Sequence, residues 1–380
     1  MARTVTWDEL RDLAGFQAEQ GVAISLYLDL DPSFLRAAGD AHTRLNSLLD
    51  GASRNHGEGK RELTHQQRVA LRDDFERIRR FFDAEFEREG AHGLVIFCAG
   101  LDNVWRTLPL TEVVPDEIRV RERLYLAPLV PLVGRGEGAL VLVVSREQGR
   151  FYRLRGGRLE DLADYTEEQP RRHDQGGWAQ ARLQRHADEL AQEHLRRVAD
   201  VLDKLVRRLH GPRVVVVASE EAGAEFVDLV AQDTRAAIAG IAHAESHAHA
   251  PELLEAAVPV LERWRAEREK EVVERWAEEH GRNGRGAAGW ADTLEAASDG
   301  RVELLIFREG ANHPAKRCPA CGRLSLEGAK CPLDGNQLED SEDGLDLAVH
   351  QTLSHGGTIW AVRDRDDLDA VAGVGALLRF

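Results

Sequence analysis

A glutamine that follows two glycines is the feature of this sequence whose residue types could do chemistry. Gly176 and Gly177 precede Trp178 and Ala179, and Gln180 comes next. Paired glycines tolerate positive φ and have no Cβ, so they predict a turn that can enter a crowded cavity, although many such pairs are simple turns. A neutral amide donates and accepts hydrogen bonds and could hold a water or a developing oxyanion beside an ester. Ester hydrolysis is one use that such an arrangement could serve.

Three of the four cysteines form a second group that could do chemistry. The segment Cys-Pro-Ala-Cys-Gly begins at residue 318, and Cys-Pro-Leu-Asp-Gly repeats it from residue 331. A two-residue spacing lets both side chains converge on one ion, and aspartate is an accepted zinc ligand. The sequence therefore predicts a structural Zn2+ site with four ligands: Cys318, Cys321, Cys331 and Asp334. His313 is the rival fourth ligand, and a degenerate knuckle without metal is the alternative.

The composition is that of a soluble globular protein. The chain has 380 residues, of which 43% are hydrophobic and 31% charged. No apolar run approaches the roughly 20 residues that span a bilayer, and the first residues lack the apolar stretch of a secretory signal, so we expect a cytoplasmic protein. Four cysteines in so long a chain exclude a disulfide framework. Cys98 lies in an apolar run of the buried-strand type, where a thiol is an inert core group.

The charges are distributed unevenly along the chain. The formal net charge is −16, which opposes indiscriminate binding to a phosphate backbone. Residues 170–213 nevertheless hold ten Lys and Arg against six Asp and Glu. A solvated helix face with i,i+4 ion pairs is the alternative, but the position beside the glycines favours contact with RNA. The candidate RNA-binding residues are Trp178, Arg182, Arg185, His186, Arg196 and Arg197.

The elements that must position these groups alternate between strands and helices. Apolar runs predict strands over residues 22–28, 93–98, 139–144, 150–154, 214–218 and 302–307. Helical spacing of apolar residues predicts long helices over about 66–89, the basic segment and 251–280. The strand over 214–218 has no polar face, which is typical of a central parallel strand.

This pattern predicts an α/β fold with more than one core. A stretch rich in proline and glycine over residues 124–138 marks the best boundary in the first half of the chain. We expect three α/β domains: residues 1–133, residues 134–265 with the glycine turn and the basic helix, and residues 266–380 with the zinc knuckle as a small insertion at 313–336.

Taken in order, these segments resemble the archaeal and eukaryotic class I release factor and Pelota family, in a bacterial branch related to the ANKZF-type peptidyl-tRNA hydrolases. Residues 24–28 and 93–98 are similar to strands of that family's N-terminal domain, and residues 141–208 are similar to its middle domain. Residues 290–307, the CxxC insertion and the last eight residues are similar to its C-terminal domain. The resemblance covers nearly the whole chain and implies the three-domain arrangement of that family.

The resemblance also implies a role for the glutamine. Release factors of this family place Gly-Gly-Gln at the peptidyl-transferase centre, where the loop promotes hydrolysis of the ester between peptide and tRNA. Here Trp178 takes the third place, whereas the ANKZF-type relatives use a glycine, two spacer residues and a glutamine, which residues 177–180 match. The expectation is catalysis by Gln180, with Gly176 and Gly177 shaping the turn.

Partners follow from the same resemblance. It implies a factor of the ribosomal A site that contacts rRNA and tRNA, with an elongation-type GTPase as a further candidate partner. The sequence leaves the oligomeric state open, and a monomer is the default expectation. Nothing in residues 40–65 reproduces the Asn-Ile-Lys-Ser codon-reading motif, so we expect hydrolysis on stalled ribosomes or large subunits rather than at stop codons. The alternative is a non-catalytic hibernation factor similar to the Balon proteins, in which Trp178 would plug the site or stack on rRNA bases.

Overall fold

The computed structural model describes most of the chain and divides it into two compact units. Unit 1 consists of Met1–Arg135 together with Glu269–Phe380, and unit 2 is Gly136–Arg268. The segments predicted as the first and third domains thus share one unit, and the division into three domains stays a prediction. The described residues are 5–31, 39–55, 63–88, 90–133, 138–155, 157–165, 178–209, 212–245, 248–363 and 365–380.

The two units are built from helices and strands in alternation. The helices are α1 (Trp7–Ala14), α2 (Gly39–Asn55), α3 (His65–Ala84), α4 (Trp178–Arg208), α5 (Glu220–Leu229), α6 (Gln232–Ala237), α7 (Ala250–Gly281), α8 (Gly289–Ser298) and α9 (Gly344–Ser354). The strands are β1 (Ala23–Asp29), β2 (Gly93–Ala99), β3 (Val104–Leu110), β4 (Glu117–Arg121), β5 (Leu140–Val144), β6 (Gly149–Arg155), β7 (Arg158–Asp164), β8 (Val214–Val217), β9 (Ile238–Ala242), β10 (Gly286–Ala288), β11 (Val302–Arg308), β12 (Ala315–Arg317), β13 (Leu324–Ser325), β14 (Glu339–Ser341), β15 (Thr358–Val362) and β16 (Val374–Leu378).

Unit 1 contains three of the sheets. The N-terminal sheet is antiparallel with the order β3-β2-β1-β4, and the small sheet has the order β13-β12-β14. The C-terminal sheet has the order β10-β16-β11-β15, in which only β11 and β15 run parallel among the described pairs. One buried cluster includes Tyr27 and Phe97 of the N-terminal sheet together with Leu305 of the C-terminal sheet and Val349 of α9. The first and last parts of the chain therefore share a core.

A buried carboxylate also joins these two parts of unit 1. Asp346 of α9 is 5% exposed and accepts hydrogen bonds from the backbone N–H groups of Leu126 (2.7 Å) and Ala127 (3.0 Å). One turn later, the ring nitrogens of His350 lie against the carbonyl oxygens of Leu124 (2.7 Å) and Ala14 (3.3 Å). Burial raises the pKa of Asp346, and the neighbouring His350 opposes that shift. Since these groups are removed from water, their mutual contacts hold α9 to the N-terminal segment.

Unit 2 is a three-layer structure around the central sheet, which has the order β7-β6-β5-β8-β9. The strands β5, β8 and β9 are parallel, whereas β6 is antiparallel to both β5 and β7. Alternate residues of β5 and β8 enter two different cores. Leu142 and Val216 belong to the cluster that includes Leu202 of α4, and Val141 and Val215 belong to the cluster that includes Leu253 of α7. Both faces of these strands are therefore covered, which explains their continuous apolar sequence.

Several sequence predictions are confirmed in the described residues. The strands over 22–28, 93–98, 139–144, 150–154, 214–218 and 302–307 correspond to β1, β2, β5, β6, β8 and β11. The predicted parallel central strand is β8, which pairs with β5 and β9. Cys98 is 0% exposed, and burial raises the pKa of its thiol. The fold is α/β as predicted, and none of the described helices combines the length and apolar character that a membrane span requires.

We predict that Asp346→Ala destabilises unit 1. The substitution leaves two buried N–H groups without their acceptor, so the free energy of unfolding should fall by about 2–4 kcal/mol. Asp346→Asn, which keeps an acceptor oxygen, should lose less. Urea unfolding followed by tryptophan fluorescence measures the difference. Asp366→Ala is the matched control because Asp366 is exposed, and a loss in Asp346→Ala no larger than in this control would contradict the assignment.

Candidate functional site

The helix α4 begins at Trp178, directly after the glycine pair, and its position follows from the direction of the strands. The strands β5, β7, β8 and β9 all point the same way, so their carboxyl ends meet at one edge of the central sheet. We name this the loop edge. Because α4 follows β7 and precedes β8, it must start beyond the loop edge and run back across the sheet. Its first turn, which contains Gln180, therefore lies on the loop-edge side of the sheet, beyond that edge.

Contacts along α4 fix this placement. The Arg146 guanidinium, in the turn after β5, lies 2.9 Å from the Asp188 carboxylate of α4. Further along, α4 packs so closely on β6 that a Cβ added to Gly149 would lie 2.6 Å from a methyl of Val198. At about 1.5 Å per residue, Trp178 lies roughly 15 Å along the helix axis from Asp188. The start of α4 is thus well separated from the part that packs on the sheet.

The two sides of α4 differ in chemistry, as predicted for an amphipathic basic helix. Leu195, Val198, Leu202 and Leu205 are buried in the core of unit 2. The exposed cationic residues in the described part of the helix are Arg196, Arg197, Lys204, Arg207 and Arg208. The arginines therefore face water while the apolar side packs on the sheet.

Three of the exposed cations form a group that we name the α4 stripe: Arg196, Lys204 and Arg208. They are spaced by multiples of four residues and span about 18 Å along one side of the helix. Arg207 lies 3.7 Å from Asp233, and Arg197 also has a partner. The part of the chain that the structure describes contains no ion-pair partner for the α4 stripe. Its charges are free to meet an anion.

The predicted site residues divide into those that the structure describes and those that it does not. Gly176 and Gly177 lie outside the described residues. Trp178, Gln180, Arg182 and Arg185 belong to the backbone of α4. The remaining three predicted RNA-binding residues, His186, Arg196 and Arg197, are exposed on α4. Sequence reasoning did not single out Lys204 and Arg208, although their spacing from Arg196 was a usable signal.

The predicted metal ligands come together in unit 1. Ligand atoms of Cys318, Cys321, Cys331 and Asp334 all lie within 4.8 Å of one another, and this group could hold a metal ion. The Sγ atoms of Cys321 and Cys331 are 3.5 Å apart, and Cys318 Sγ is 3.2 Å from an oxygen of Asp334. Ligands of a tetrahedral ion at 2.0–2.3 Å are about 3.3–3.8 Å apart, and these two distances are close to that range. His313 is outside this group, and its Nδ1 lies 2.7 Å from the carbonyl oxygen of Pro314.

The two halves of the cysteine group are built alike. The N–H of Gly322 donates to the carbonyl of Cys318 (3.0 Å), and the N–H of Gly335 donates in the same way to Cys331 (2.9 Å). Both glycines have positive φ, +77° and +74°, a conformation that other residues rarely adopt. The repeated turn therefore points two side chains from each half toward one place, as the repeated sequence predicted.

The members of the group differ in their pKa shifts: although a backbone N–H opposes the change, burial and contacts with the neighbouring thiols and carboxylate raise the pKa of Cys321 to about 12. The backbone N–H of Asn336 and the thiol of Cys318 hold the pKa of Asp334 well below its usual range. Although burial opposes it, the backbone N–H groups of Leu333 and Asp334 lower the pKa of Cys331. A carboxylate and a thiolate are the ligand forms that metal binding requires.

The cysteine group is attached to the helices of the C-terminal segment. The side-chain amide of Gln351 in α9 donates to the carbonyl of Gly322 (2.8 Å). The guanidinium of Arg323 lies 2.8 Å from Asp299 and 3.3 Å from Glu295 of α8. An ion held here would stabilise the insertion against α8 and α9, which is a structural role.

Comparisons with known proteins find a matching family model and similar sequences. Residues 125–262, which contain nearly all of unit 2, match the bacterial archaeo-eukaryotic release factor family 10. The chain is 24% identical over 255 residues to peptide chain release factor subunit 1 of Archaeoglobus fulgidus, covering 63% of this chain and 62% of that protein. It is 26% identical over 213 residues to the protein of that name from Methanopyrus kandleri, covering 54% and 51%. The chain thus spans between half and two thirds of the length of these relatives.

A solved structure is also similar to this chain. It is described as a model of ribosome-bound archaeal Pelota and ABCE1, and the match covers 100% of this chain and 95% of that chain. The TM-score is 0.44 and the sequence identity 14%.

We predict that the cysteine group binds one metal ion per chain through Asp334 and not through His313. Asp334→Ala removes the fourth ligand and should weaken metal binding about tenfold or more, whereas His313→Ala should leave it unchanged. Cobalt titration of the metal-stripped protein, followed by the absorption of thiolate-bound Co2+, gives the affinity of each variant. Equal losses in the two variants, or no cobalt–thiolate absorption in wild type, would contradict the ligand set.

Proposed function

Because the chain belongs to the archaeal and eukaryotic release factor and Pelota family, we propose that it is a ribosome-associated factor that hydrolyses the ester of peptidyl-tRNA. Its substrate is peptidyl-tRNA held on stalled ribosomes or on large subunits, without selection by a stop codon. This fits a rescue role, since the codon-reading motif of the release factors is missing from residues 40–65.

The position of Gln180 is the observation that carries this proposal. Gln180 lies in the first turn of a 31-residue helix that starts directly after Gly176 and Gly177. The direction of the strands puts this turn beyond the loop edge and beyond the residues of α4 that pack on the sheet. A reactive group that must reach an ester on another molecule needs a position that projects beyond the packed part of its own domain.

The proposed chemistry uses the amide of Gln180. Its carbonyl oxygen accepts a hydrogen bond from the attacking water, and its amino group can donate to the oxyanion that develops on the ester carbonyl. The water oxygen bonds to the carbonyl carbon, the bond from that carbon to the tRNA 3′ oxygen breaks, and this oxygen takes up one of the two protons of the water. Glutamine stays neutral throughout, so the site adds no charge next to the tRNA phosphates.

RNA contact is assigned to α4. The positive end of the helix dipole lies at its first turn, where it favours phosphate groups. Trp178, Arg182 and Arg185 are proposed as contacts there, followed by His186, Arg196 and Arg197. The α4 stripe adds Lys204 and Arg208 to this surface. A local basic helix on a chain of net charge −16 restricts binding to one orientation.

The cysteine group is proposed as a structural zinc site. Three thiolates and a carboxylate suit Zn2+, which prefers four ligands in a tetrahedral arrangement. When bound, the ion offsets half of the negative charge of its ligands and joins the two halves of the insertion. All four positions are filled by side chains, so the site leaves no open position for substrate.

The wider assembly follows from the family. We place the protein as a monomer in the ribosomal A site, with three domains in the release factor and Pelota arrangement. An elongation-type GTPase is a candidate partner for its delivery.

A non-catalytic hibernation factor is the second candidate, and the identity of residue 178 favours it. Trp178 stands where the release factors have a glutamine and is the first residue of α4. An indole at that position has the contact area to stack on rRNA bases and close the site of an idle ribosome.

We predict that Gln180→Ala abolishes release of peptide. Without the amide, water and oxyanion lose their proposed partner, and removal of one such donor typically costs about 100- to 1000-fold in rate. Purified ribosomes and large subunits loaded with peptidyl-tRNA are incubated with each protein, with puromycin as the positive control. Gln192→Ala, an exposed glutamine of the same helix, should release normally. Binding of wild type to empty ribosomes without any release would overturn catalysis in favour of hibernation.

We further predict that the α4 stripe contributes to the salt dependence of ribosome binding. Each lost phosphate contact lowers the slope of log affinity against log salt by about one, so Ala at Arg196, Lys204 and Arg208 together should lower it by about 2–3. Co-sedimentation over a series of KCl concentrations gives the slope. Arg235→Ala is the matched control, because the guanidinium of Arg235 already lies 3.2 Å from Asp228. An unchanged slope in the triple variant would remove α4 from the RNA interface.

A further inference from the structure

An exposed tyrosine marks the point where the chain leaves the central sheet toward the glycine pair. Tyr165 directly follows the last residue of β7 and is 46% exposed. Among the described residues of unit 2, the only other exposed large hydrophobic side chain is Val258, in α7. Because β7 points toward the loop edge, the Tyr165 ring stands at the edge of the sheet beyond which α4 begins.

The ring of Tyr165 is held in place from one side. Its backbone N–H donates to the carbonyl of Gly149 (2.8 Å). Its ring meets Phe151 edge to face, with centroids 6.0 Å apart at 88°. Phe151 is itself 1% exposed in the core under α4. A ring fixed on a buried partner loses little freedom when a ligand covers its other side.

The loop edge near the ring carries exposed charges of both signs, with the acidic Glu147 and Asp164 next to the basic residues. The turn between β5 and β6 carries Arg146, whose side chain is 55% exposed beside Asp188. His186, also exposed, lies on α4 half a turn closer to its start. Aromatic rings beside basic side chains are the combination by which proteins hold unpaired nucleotides, because every base has a face that can stack. An apolar protein partner would meet charged groups around this single ring.

We propose that Tyr165 stacks on an unpaired nucleobase of the RNA that surrounds the glycine segment. This assignment rests on the proposed ribosomal function and adds a contact of a different kind from the α4 stripe. Stacking is insensitive to salt and needs a ring, whereas phosphate contact depends on salt and needs a cation. Tyr165 would thereby bind the RNA at the end of β7, where the chain leaves the sheet toward Gln180.

The experiment compares wild type with Tyr165→Leu and Tyr165→Phe. Binding to purified ribosomes and large subunits is measured by co-sedimentation over a series of KCl concentrations. Phe380→Leu is the matched control, because Phe380 is also exposed (76%) but lies in unit 1. Thermal unfolding of each variant checks that it is folded.

Tyr165→Leu should weaken binding about 5- to 150-fold at every salt concentration without a change in slope. Tyr165→Phe and Phe380→Leu should bind within about twofold of wild type, since the first keeps the stacking ring. Wild-type affinity in folded Tyr165→Leu, or an equal loss in Tyr165→Phe, overturns the stacking contact while leaving the proposed function intact. If wild type binds neither particle, the proposed function itself fails and this contact falls with it.

Discussion

Burial of both faces of β5 and β8 is the constraint on which unit 2 depends. On the α4 side β5 presents leucine and valine and β8 presents valine, and on the α7 side both strands present valine, so neither helix can be removed without exposing a core. A helix that connects β7 to the parallel strand β8 must then run against the strand direction. The start of α4 is therefore placed by the burial of apolar side chains that lie further along the same helix, from Leu195 onward. Hydrophobic packing in this way decides where Gln180 lies.

Unit 1 depends on polar contacts that only a shared core can support. Asp343 is 3% exposed and lies 3.3 Å from the guanidinium of Arg119, with Arg121 as a second partner. Asp346 and His350 are similarly enclosed. Removing such groups from water is costly unless each has its partners, so the pairs select one arrangement of the N-terminal and C-terminal segments. The cysteine group is attached through Gln351 to α9, the helix that carries Asp346 and His350. This contact links the proposed zinc site to the shared core.

The net charge of the chain and the local charge of α4 have opposite signs. A net charge of −16 keeps the chain from binding RNA at random, and the exposed side of α4 carries cations that the described part of unit 2 leaves without ion pairs at three positions. The cation of Arg207 is instead close to Asp233. Helical periodicity alone predicts that Arg207 and the α4 stripe are equally exposed. Only the presence of α6 beside α4 distinguishes Arg207, because α6 carries Asp233.

The sequence alone determined the α/β class, the central strand β8, the amphipathic basic helix and the three cysteines of the cysteine group, because these are local patterns of spacing and polarity. It also placed Gln180 after two glycines. Only the tertiary structure decided that the first and last segments share a core, that Asp334 and not His313 joins the thiols, and that Tyr165 stands at the loop edge. Those results depend on contacts between residues that are far apart in the sequence. The periodicity of side chains along one segment carries no information about such contacts.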